Sequence, residues 1–364
     1  MKEDLKTNYL YIQVYRDLRE QILNGTFTQG ALLPSEREIR ELYHVERTTV
    51  RKALQKLVDE GLAEKKPGIG TQVKGKEPVS GEELSSSQKN GKVAFFLNSN
   101  ERMIQPFYSA LFYSLEVNCR KAGYQLVMSA LSEQENFEAI LDDEDYSCII
   151  FASNLLPEYF EVTRSRRMPA VLINKYHEAL PCILPDNVRG MYLVTDYLLG
   201  LGHRKIGIIK GRTDYTSTEE RMWGCLAACA NRGVTPCRDW IIESDFNQKS
   251  GYEAMKSLMD RCTGKDRPTA VIAFSDSMLS GILKAAAEYD LRVPEDLSVT
   301  GFDHLSETGL FLQSFTTVEA NVDILAKVAV DTLLHQIESY PEYSSKIVTQ
   351  VELVIGSSTD VPCS

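Results

Sequence analysis

Residues 30–73 read GALLPSEREIRELYHVERTTVRKALQKLVDEGLAEKKPGIGTQV and predict two short helices followed by a basic β-hairpin. Ser35 is a good helix N-cap, and Glu38 three residues later completes a capping box, so the first helix should begin here and end near Tyr43. A second helix is predicted over about residues 47–60. Two helices joined by a short turn, with cations and hydroxyl groups at the start of the second, can place that second helix in a DNA major groove.

Each predicted helix has one apolar face. The first helix should direct Ile39 and Leu42 inward. The second helix groups five apolar residues at the 3.6-residue period: Val50, Ala53, Leu54, Leu57 and Val58. Its opposite face is polar and carries Thr48, Arg51, Lys52 and Gln55, with Arg47 at the edge. This polar face is the candidate DNA-reading surface.

The hairpin that follows has the character of a DNA-contacting wing. Its strands, 62–64 and 71–73, flank Lys65 and Lys66, whose charges suit phosphates. Gly68 and Gly70 allow the backbone to approach a narrow surface closely. Taken alone, this hairpin is equally compatible with a solvated lysine turn. The whole pattern of 30–73 favours nucleic-acid binding.

Residues 9–73 resemble the winged-helix domain of the GntR family of bacterial regulators. The matching motifs are LPSER at 33–37, VxRTTVRxAL at 45–54, GL at 61–62 and GxGT at 68–71. The resemblance implies DNA contacts from Arg37, Arg47, Thr48, Arg51 and Gly68, and Lys66 joins them as a phosphate ligand. Glu46 replaces the capping Ser or Thr that is usual in the family; it either accepts a hydrogen bond from a cytosine amine or points away, which we favour.

Charge is unevenly distributed along a chain whose net charge is −11. Residues 1–76 carry 14 Lys and Arg against 11 Asp and Glu, whereas the remainder carries 26 against 40. A mildly basic head on an acidic body fits a protein that contacts DNA at one end. No apolar run reaches the roughly 18–20 residues of a membrane span, and the N-terminal residues lack the apolar core of a signal peptide. We therefore expect a cytoplasmic protein without membrane contact.

The sequence contains no recognisable catalytic set. Its eight cysteines are scattered, and reduced thiols are the default for such a chain. Cys225 and Cys229 could share a metal on one helix, but no histidine or carboxylate accompanies them at suitable spacing. The run GxxxxGK at 70–76 resembles a phosphate loop, yet Glu77 follows where Ser or Thr is required. We expect no enzyme, no metal site and no cofactor.

Beyond a polar linker at 77–91, apolar strand candidates alternate with amphipathic helical stretches. Such alternation implies parallel sheets that are covered by helices on both faces, which is an α/β architecture of doubly wound sheets. This alternation of strands and helices is compatible with one large sheet or with two smaller lobes.

Residues 92–355 resemble the effector domain of the LacI family, which has the two-lobed fold of periplasmic sugar-binding proteins. The motifs occur in order: PFY at 106–108, DNxxG at 186–190, LGHRKI at 201–206, RxxG at 221–224, DFxxxSGY at 245–252, AFSD at 273–276, VPEDLSVxGFD at 293–303 and FTTV at 315–318. The two resemblances together imply a GntR-type head on a LacI-type body, as in bacterial arabinose repressors.

These resemblances imply the domain boundaries. We predict a winged helix-turn-helix domain at 1–76, a linker at 77–91, and a sugar-binding effector and dimerisation domain at 92–356. Within the effector domain, the first lobe should comprise about 92–185 and 320–340. The second lobe should comprise about 186–313 and a final strand near 347–355.

The LacI resemblance also implies a ligand cleft between the lobes. Its contacts should come from Phe107, Ser217, Arg221, Phe246 and Asp276. Arg221 offers a planar fork of donors to adjacent hydroxyls, and Asp276 can accept from a pair of them. Each assignment has an alternative: Arg221 as a surface charge, Asp276 as a helix N-cap, and Phe246 as a core residue. Asp303 and His304 either line the cleft or belong only to the loop.

The function implied is that of a homodimeric repressor that binds double-stranded operator DNA and is released by a monosaccharide. Arabinose or another pentose is the candidate effector. Two alternatives remain open, namely a regulator that responds to a nucleoside or purine, and a sugar-binding protein without a DNA role.

Overall fold

The computed structural model describes residues 14–15, 18–19, 21–22, 27–28, 30–43, 45–59, 62–66, 70–74, 91–98, 105–132, 135–152, 154–262, 266–304, 314–341 and 343–362. The chain forms two compact units, Met1–Ser87 and Gln88–Ser364, here called the head and the body. The predicted linker at 77–91 lies outside the described residues except for Gly91. None of the helices that the structure describes is both long and apolar enough to cross a membrane.

The head contains the two predicted helices and the predicted hairpin. They are α1 (Glu36–Tyr43), α2 (Arg47–Asp59), β1 (Ala63–Lys66) and β2 (Gly70–Val73), and the two strands pair antiparallel. The capping box is confirmed, because the Glu38 carboxylate accepts from the Ser35 backbone N–H at 2.8 Å and the Ser35 hydroxyl accepts from the Glu38 N–H at 3.3 Å.

A small apolar core holds the head together. Its members include Leu33, Ile39, Val45, Val50, Ala53, Leu54, Leu57, Leu62 and Val73, together with Val14, Tyr15 and Leu18 from the preceding segment. The apolar face predicted for α2 is confirmed. The inward direction predicted for Leu42 is wrong, since 67% of this residue is exposed. Ile39 and Tyr43 lie four residues apart and occupy the inner side of α1 instead.

The body alternates strands and helices. Its first half comprises β3 (Lys92–Leu97), α3 (Pro106–Lys121), β4 (Gln125–Ala130), α4 (Phe137–Asp143), β5 (Tyr146–Ala152), α5 (Pro157–Ser165), β6 (Ala170–Ile173), β7 (Cys182–Pro185) and α6 (Asn187–Leu201). Next come β8 (Ile206–Lys210), α7 (Thr216–Asn231), β9 (Ile241–Glu243), α8 (Gln248–Asp260), β10 (Ala270–Ala273), α9 (Leu279–Glu288) and β11 (Ser298–Asp303). The last elements are β12 (Thr316–Glu319), α10 (Val322–Glu338), β13 (Lys346–Thr349) and β14 (Glu352–Val354).

These strands form two six-stranded sheets, each the centre of one lobe. The first lobe has the order β13-β7-β6-β5-β3-β4, and the second has β14-β12-β11-β10-β8-β9. All neighbours are parallel except β12 and β14. The first sheet is buried on both faces, with α3 and α10 contributing to the apolar cluster on one face and α4 and α5 to that on the other. Strands of this kind carry apolar side chains on both sides, which explains their continuous apolar runs.

The end of the body differs from the prediction. The sequence predicts a single strand near 347–355 in the second lobe, but the segment contains two strands. β13 pairs with β7 in the first lobe, and β14 pairs with β12 in the second. Each strand satisfies the backbone hydrogen bonds along the open side of a different sheet, so the chain must cross between the lobes at Gln350 and Val351.

Close packing of α6 on α7 explains one motif glycine. A side chain at Gly224 would place its Cβ 2.3 Å from the backbone oxygen of Val188. The glycine of the RxxG motif therefore lets the backbones of the two helices approach closely. The consequence for the site is that Asn187 on α6 and Arg221 on α7 lie within hydrogen-bonding distance.

Candidate functional site

The head presents two arginines at the start of α2, both bound to one carboxylate. Glu36 accepts from Arg47 Nε at 2.9 Å and from Arg51 Nε at 3.1 Å. The hydrogen bond from Arg47 lowers the pKa of Glu36; burial opposes this effect and the hydrogen bond from Arg51 adds to it. Glu36 therefore stays ionised and holds two guanidinium groups side by side. Their side chains are 64% and 55% exposed, which leaves them accessible to a DNA base edge.

The other predicted DNA contacts lie around this pair. Arg37 and Thr48 are exposed, and so is Lys66, which pairs with Glu64 at 3.0 Å. Gly68 lies outside the described residues. Lys65 Nζ donates to Gln55 Oε1 at 2.8 Å and thereby connects the hairpin to the polar face of α2. The LPSER motif contains Glu36, but the sequence does not indicate that this residue binds both Arg47 and Arg51.

The body contains a cleft between its two lobes, and the unfilled space of about 440 Å³ measured there includes space that is open to solvent. The lining residues are Gln105, Phe107, Tyr108, Asn174, Tyr215, Ser217, Arg221, Phe246, Ser275, Ser277 and Asp303. Several follow the carboxyl ends of parallel strands, as with Asn174 after β6 and Ser275 after β10. This is the edge of an open α/β sheet at which ligands commonly bind.

Four of the five predicted ligand residues line this cleft. They are Phe107, Ser217, Arg221 and Phe246. Phe107 lies on the first lobe, and Phe246 approaches from the second, where its ring forms an edge-to-face contact with Tyr215 at a centroid distance of 5.5 Å. Phe246 also belongs to the core of the second lobe, so both interpretations of this residue hold.

Arg221 is the buried centre of the cleft. Only 3% of this residue is exposed, so the surface-charge alternative is wrong. Its Nε donates to Asn187 Oδ1 at 2.9 Å, and one Nη donates to the backbone oxygen of Phe274. The guanidinium also lies over the ring of Phe302, at 3.6 Å from the ring centroid. These contacts fix the plane of the guanidinium before any ligand arrives.

Asp303 is the carboxylate that accompanies Arg221 in the cleft. Its Oδ1 accepts from Arg221 Nη2 at 3.2 Å, and its Oδ2 accepts from the Ser275 hydroxyl at 2.8 Å. Burial raises the pKa of Asp303, while Arg221 and Ser275 oppose the increase. From the sequence alone, Asp303 is compatible with a place in the cleft or only in the loop. The structure places it in the cleft.

Asp276 does not belong to the lining, in contrast to the prediction. Its Oδ1 accepts from the Thr317 hydroxyl at 2.7 Å. The alternative role as an N-cap is also wrong, since Ser275 is the N-cap of the short 3₁₀ helix Asp276–Met278 and its hydroxyl accepts from the Ser277 N–H. Asp276 thus bonds to β12 and makes no direct ion pair with Arg221, although its charge still acts on Arg221.

Asn174 contributes a buried acceptor to the cleft. The residue has a φ of 58°, a conformation that asparagine tolerates better than most residues. Its Oδ1 is buried and has no hydrogen-bond partner among the residues that the structure describes. Such an atom costs about 1–3 kcal/mol until a donor reaches it.

The cysteine pair on α7 has a packing role. Cys225 and Cys229 are both buried, and burial raises the pKa of Cys225 to about 12. A thiol of that kind is unreactive. Within the described part of the chain, no three His, Cys, Asp or Glu side chains converge in a way that could hold a metal ion.

Comparisons with known proteins agree with this architecture. Residues 10–73 match the family described as bacterial regulatory proteins, gntR family, and residues 195–359 match the family described as periplasmic binding protein-like domain. The HTH-type transcriptional repressor PurR of Edwardsiella ictaluri (strain 93-146) is 31% identical over 258 residues, which cover 68% of this chain and 75% of that protein.

Two solved structures share the fold of the body. A LacI family transcriptional regulator from Enterococcus faecium with bound ribose has a TM-score of 0.65 at 19% identity, over 75% of this chain and all of that one. The lac repressor dimer bound to operator and the anti-inducer ONPF has a TM-score of 0.64 at 20% identity, over 76% of this chain and 96% of that one.

The relatives are transcriptional regulators rather than enzymes, which confirms that part of the prediction. The two-lobed α/β fold with a winged helix-turn-helix head is confirmed as well. This chain belongs to the family of HTH-type transcriptional repressors that includes PurR, with a periplasmic-binding-protein-like body and a gntR-type DNA-binding head.

Proposed function

We propose that this regulator is a repressor that a free, uncharged sugar releases from its operator. The observation that carries the proposal is the lining of the cleft. It combines hydroxyl and amide groups with one buried ion pair, Arg221–Asp303, whose charges cancel. A phosphorylated ligand would need additional cations, whereas a neutral polyol needs paired donors and acceptors of this kind.

The aromatic side chains support the same ligand class. Phe107 lies on one lobe, and Tyr215 and Phe246 lie on the other. Rings on both walls can cover the C–H faces of a sugar while the polar groups bind its edge. The unpaired Oδ1 of Asn174 would accept from a ligand hydroxyl. The bound ribose of the Enterococcus faecium regulator is consistent with this class, and a pentose is our first candidate.

We propose that the six predicted head residues contact the operator, and that Arg47 and Arg51 read bases. The exposed positions of both arginines at the start of α2 support this assignment. A homodimer is proposed as the DNA-binding species, because the lac repressor binds its operator as a dimer. Two symmetric heads would read a palindromic site.

The second candidate ligand is a purine, which the likeness to PurR repressors favours. Flat bases could stack between the same aromatic rings. The two candidates differ in their need for hydroxyl partners, so a direct comparison can separate them.

The test uses the full-length protein and operators selected from random duplexes. Free pentoses, hexoses, sugar phosphates, hypoxanthine, guanine and adenosine are each added to the protein–DNA complex. A free sugar should release the DNA and raise the melting temperature, since a ligand at 100 times its Kd stabilises by about 2.7 kcal/mol. Release by a purine alone would favour the second candidate over the sugar. If the selection yields no duplex that the protein prefers, the proposal of a DNA-binding repressor is wrong.

The division of labour is tested with two variants. Arg47→Ala should weaken operator binding and leave the sugar-induced rise in melting temperature intact. Arg221→Ala should abolish that rise while operator binding persists, because Arg221 lies only in the cleft. Equal loss of both activities in either variant would contradict the assignment.

A further inference from the structure

A chain of five polar contacts runs from the cleft to the other lobe. It begins at Ser275 and passes through Asp303, Arg221, Asn187 and Glu220 to Lys346. Every contact from Ser275 to Glu220 joins side chains of the second lobe that are buried. The last contact crosses to β13, the outer strand of the first lobe.

The central member of this chain is Asn187, which uses both ends of its amide. Oδ1 accepts from Arg221 Nε at 2.9 Å, and Nδ2 donates to Glu220 Oε2 at 2.9 Å. Asn187 is 1% exposed and begins α6, immediately after the chain crosses between the lobes. Glu220 therefore fixes which way the amide of Asn187 faces, and the amide in turn fixes the guanidinium of Arg221.

The other carboxylate oxygen of Glu220 faces the first lobe. Oε1 accepts from Lys346 Nζ at 2.7 Å, and the two side chains are 10% and 41% exposed. A carboxylate this well buried needs a cationic partner, because an unpaired buried charge is costly. A second contact accompanies the pair, since the Tyr176 N–H of the first lobe donates to Thr216 Oγ1 of the second at 3.5 Å.

We propose that the Lys346–Glu220 ion pair couples the approach of the two lobes to the orientation of Arg221, with Glu220 as a positioning residue. Separation of the lobes withdraws Lys346, frees Glu220 to turn outwards, and releases Asn187 and then Arg221. Approach of the lobes restores the cleft geometry that grips a ligand. The sensing role rests on the proposed function, whereas the link between the lobes does not.

The test measures amide hydrogen exchange in the full-length, ligand-free protein, with Lys346→Met as the probe variant. The peptide that covers residues 174–179 contains the Tyr176 N–H, which bonds across the lobes. The centroid of the Tyr176 ring also lies 5.5 Å from Lys346 Nζ, so faster exchange is assigned to lobe separation only where Glu220→Gln, which leaves Lys346 in place, accelerates it as well. Lys346→Met should accelerate its exchange by about threefold to fivefold, the effect of a partly exposed ion pair. The matched control is Lys205→Met, which removes an ion pair of 2.8 Å to Asp266 within one lobe, with a lysine 46% exposed.

Two further variants separate the two proposed roles of Glu220, which are to link the lobes through Lys346 and to position Asn187. Glu220→Gln keeps an oxygen for Asn187 but loses the charge that Lys346 binds. The double exchange Glu220→Lys with Lys346→Glu restores a pair across the lobes but removes the acceptor for Asn187. The double variant should recover slow exchange at 174–179 and should still lose the rise in melting temperature that D-ribose or L-arabinose produces.

The outcomes distinguish this proposal from the proposed function. If residues 174–179 exchange at the same rate in Lys346→Met, in the wild type and in the Lys205→Met control, the proposed coupling is wrong, whichever ligand binds. If no sugar acts on the wild type while Lys346→Met accelerates exchange, the sugar proposal fails and the link between the lobes stands. If the double variant keeps a full sugar response, Glu220 has no positioning role.

Discussion

Nη2 of Arg221 lies 3.2 Å from Oδ1 of Asp303, and the two residues are only 3% and 7% exposed. This pair makes the cleft electrically neutral while it still offers directed donors and acceptors. Removing one partner would leave the other as an unpaired buried charge, which typically costs about 3–5 kcal/mol. The pair is therefore expected to govern both the stability of the second lobe and the ligand response.

The first prediction concerns two carboxylates, Asp276 after β10 and Asp303 at the end of β11. Asp303→Asn should abolish the ligand-induced rise in melting temperature, because the charge that orients Arg221 is lost. Asp276→Asn is the matched control and should retain the response, since Asp276 binds Thr317 and not the cleft. Thermal-shift measurements with free pentoses check this. Loss of the response in Asp276→Asn, together with its retention in Asp303→Asn, would indicate that Asp276 contacts the ligand.

The second prediction concerns Glu36, which binds Arg47 and Arg51 in the head. Glu36→Gln should raise affinity for non-operator duplexes, because a negative charge near the phosphates is removed and two arginines are released. Preference for the operator should fall, since the arginines lose their fixed directions. Fluorescence anisotropy at several salt concentrations measures both effects. Weaker binding to every duplex would show that Glu36 instead contacts DNA favourably.

The third prediction concerns the close approach of α6 and α7. Gly224→Ala should lower the free energy of unfolding by roughly 1–3 kcal/mol, because its Cβ would press on the backbone of Val188. Gly200→Ala on α6 is the control, since nothing lies within 4 Å of the added Cβ. The control should raise stability by up to about 1 kcal/mol through helix propensity. Urea denaturation compares the two variants.

The fourth prediction concerns the pH dependence of Asp296 in the VPEDL motif. Hydrogen bonds from the Arg292 side chain and then from its backbone N–H lower the pKa of Asp296 to about 2, from an ordinary value of 3.8. A lowered folded-state pKa gives stability that is complete above the ordinary value and is lost as the pH falls towards the folded value. Asp296→Asn should therefore melt at a lower temperature than the wild type at pH 7.

The difference between the two melting temperatures should shrink below about pH 4, as the wild-type carboxylate becomes protonated. Melting curves recorded from pH 7 downwards check this. A difference that stays constant to the lowest pH at which the protein folds would show that the hydrogen bonds of Asp296 do not depend on its charge.

Local chemistry explains most of what could be predicted for the fold. The capping box at Ser35 and Glu38 uses residues three apart, and the apolar face of α2 repeats within one helix. Short-range patterns of this kind do not depend on distant contacts. Leu42 was mispredicted because its helix has eight residues, and only packing against the rest of the head decides which side faces inwards.

The division of the last strand depends on long-range pairing. The composition of residues 346–354 does not indicate which sheet each of the two strands joins, because both have an ordinary strand composition. The register against β7 for one half and against β12 for the other decides it. Glu220 was invisible in the sequence for a similar reason, since its partner Lys346 lies on the other lobe.

The sequence by itself determined a DNA-reading head, an α/β body of the LacI type and four residues of the cleft lining. It could not determine which carboxylate faces Arg221, because Asp276 and Asp303 both lie near the carboxyl ends of buried strands. The tertiary structure decides this through Gly301 on the neighbouring strand. The absence of a side chain there leaves room for Asp276 Oδ1, which lies 1.9 Å from the position that a Cβ would occupy. Asp276 is therefore directed to Thr317, and Asp303 remains as the partner of Arg221.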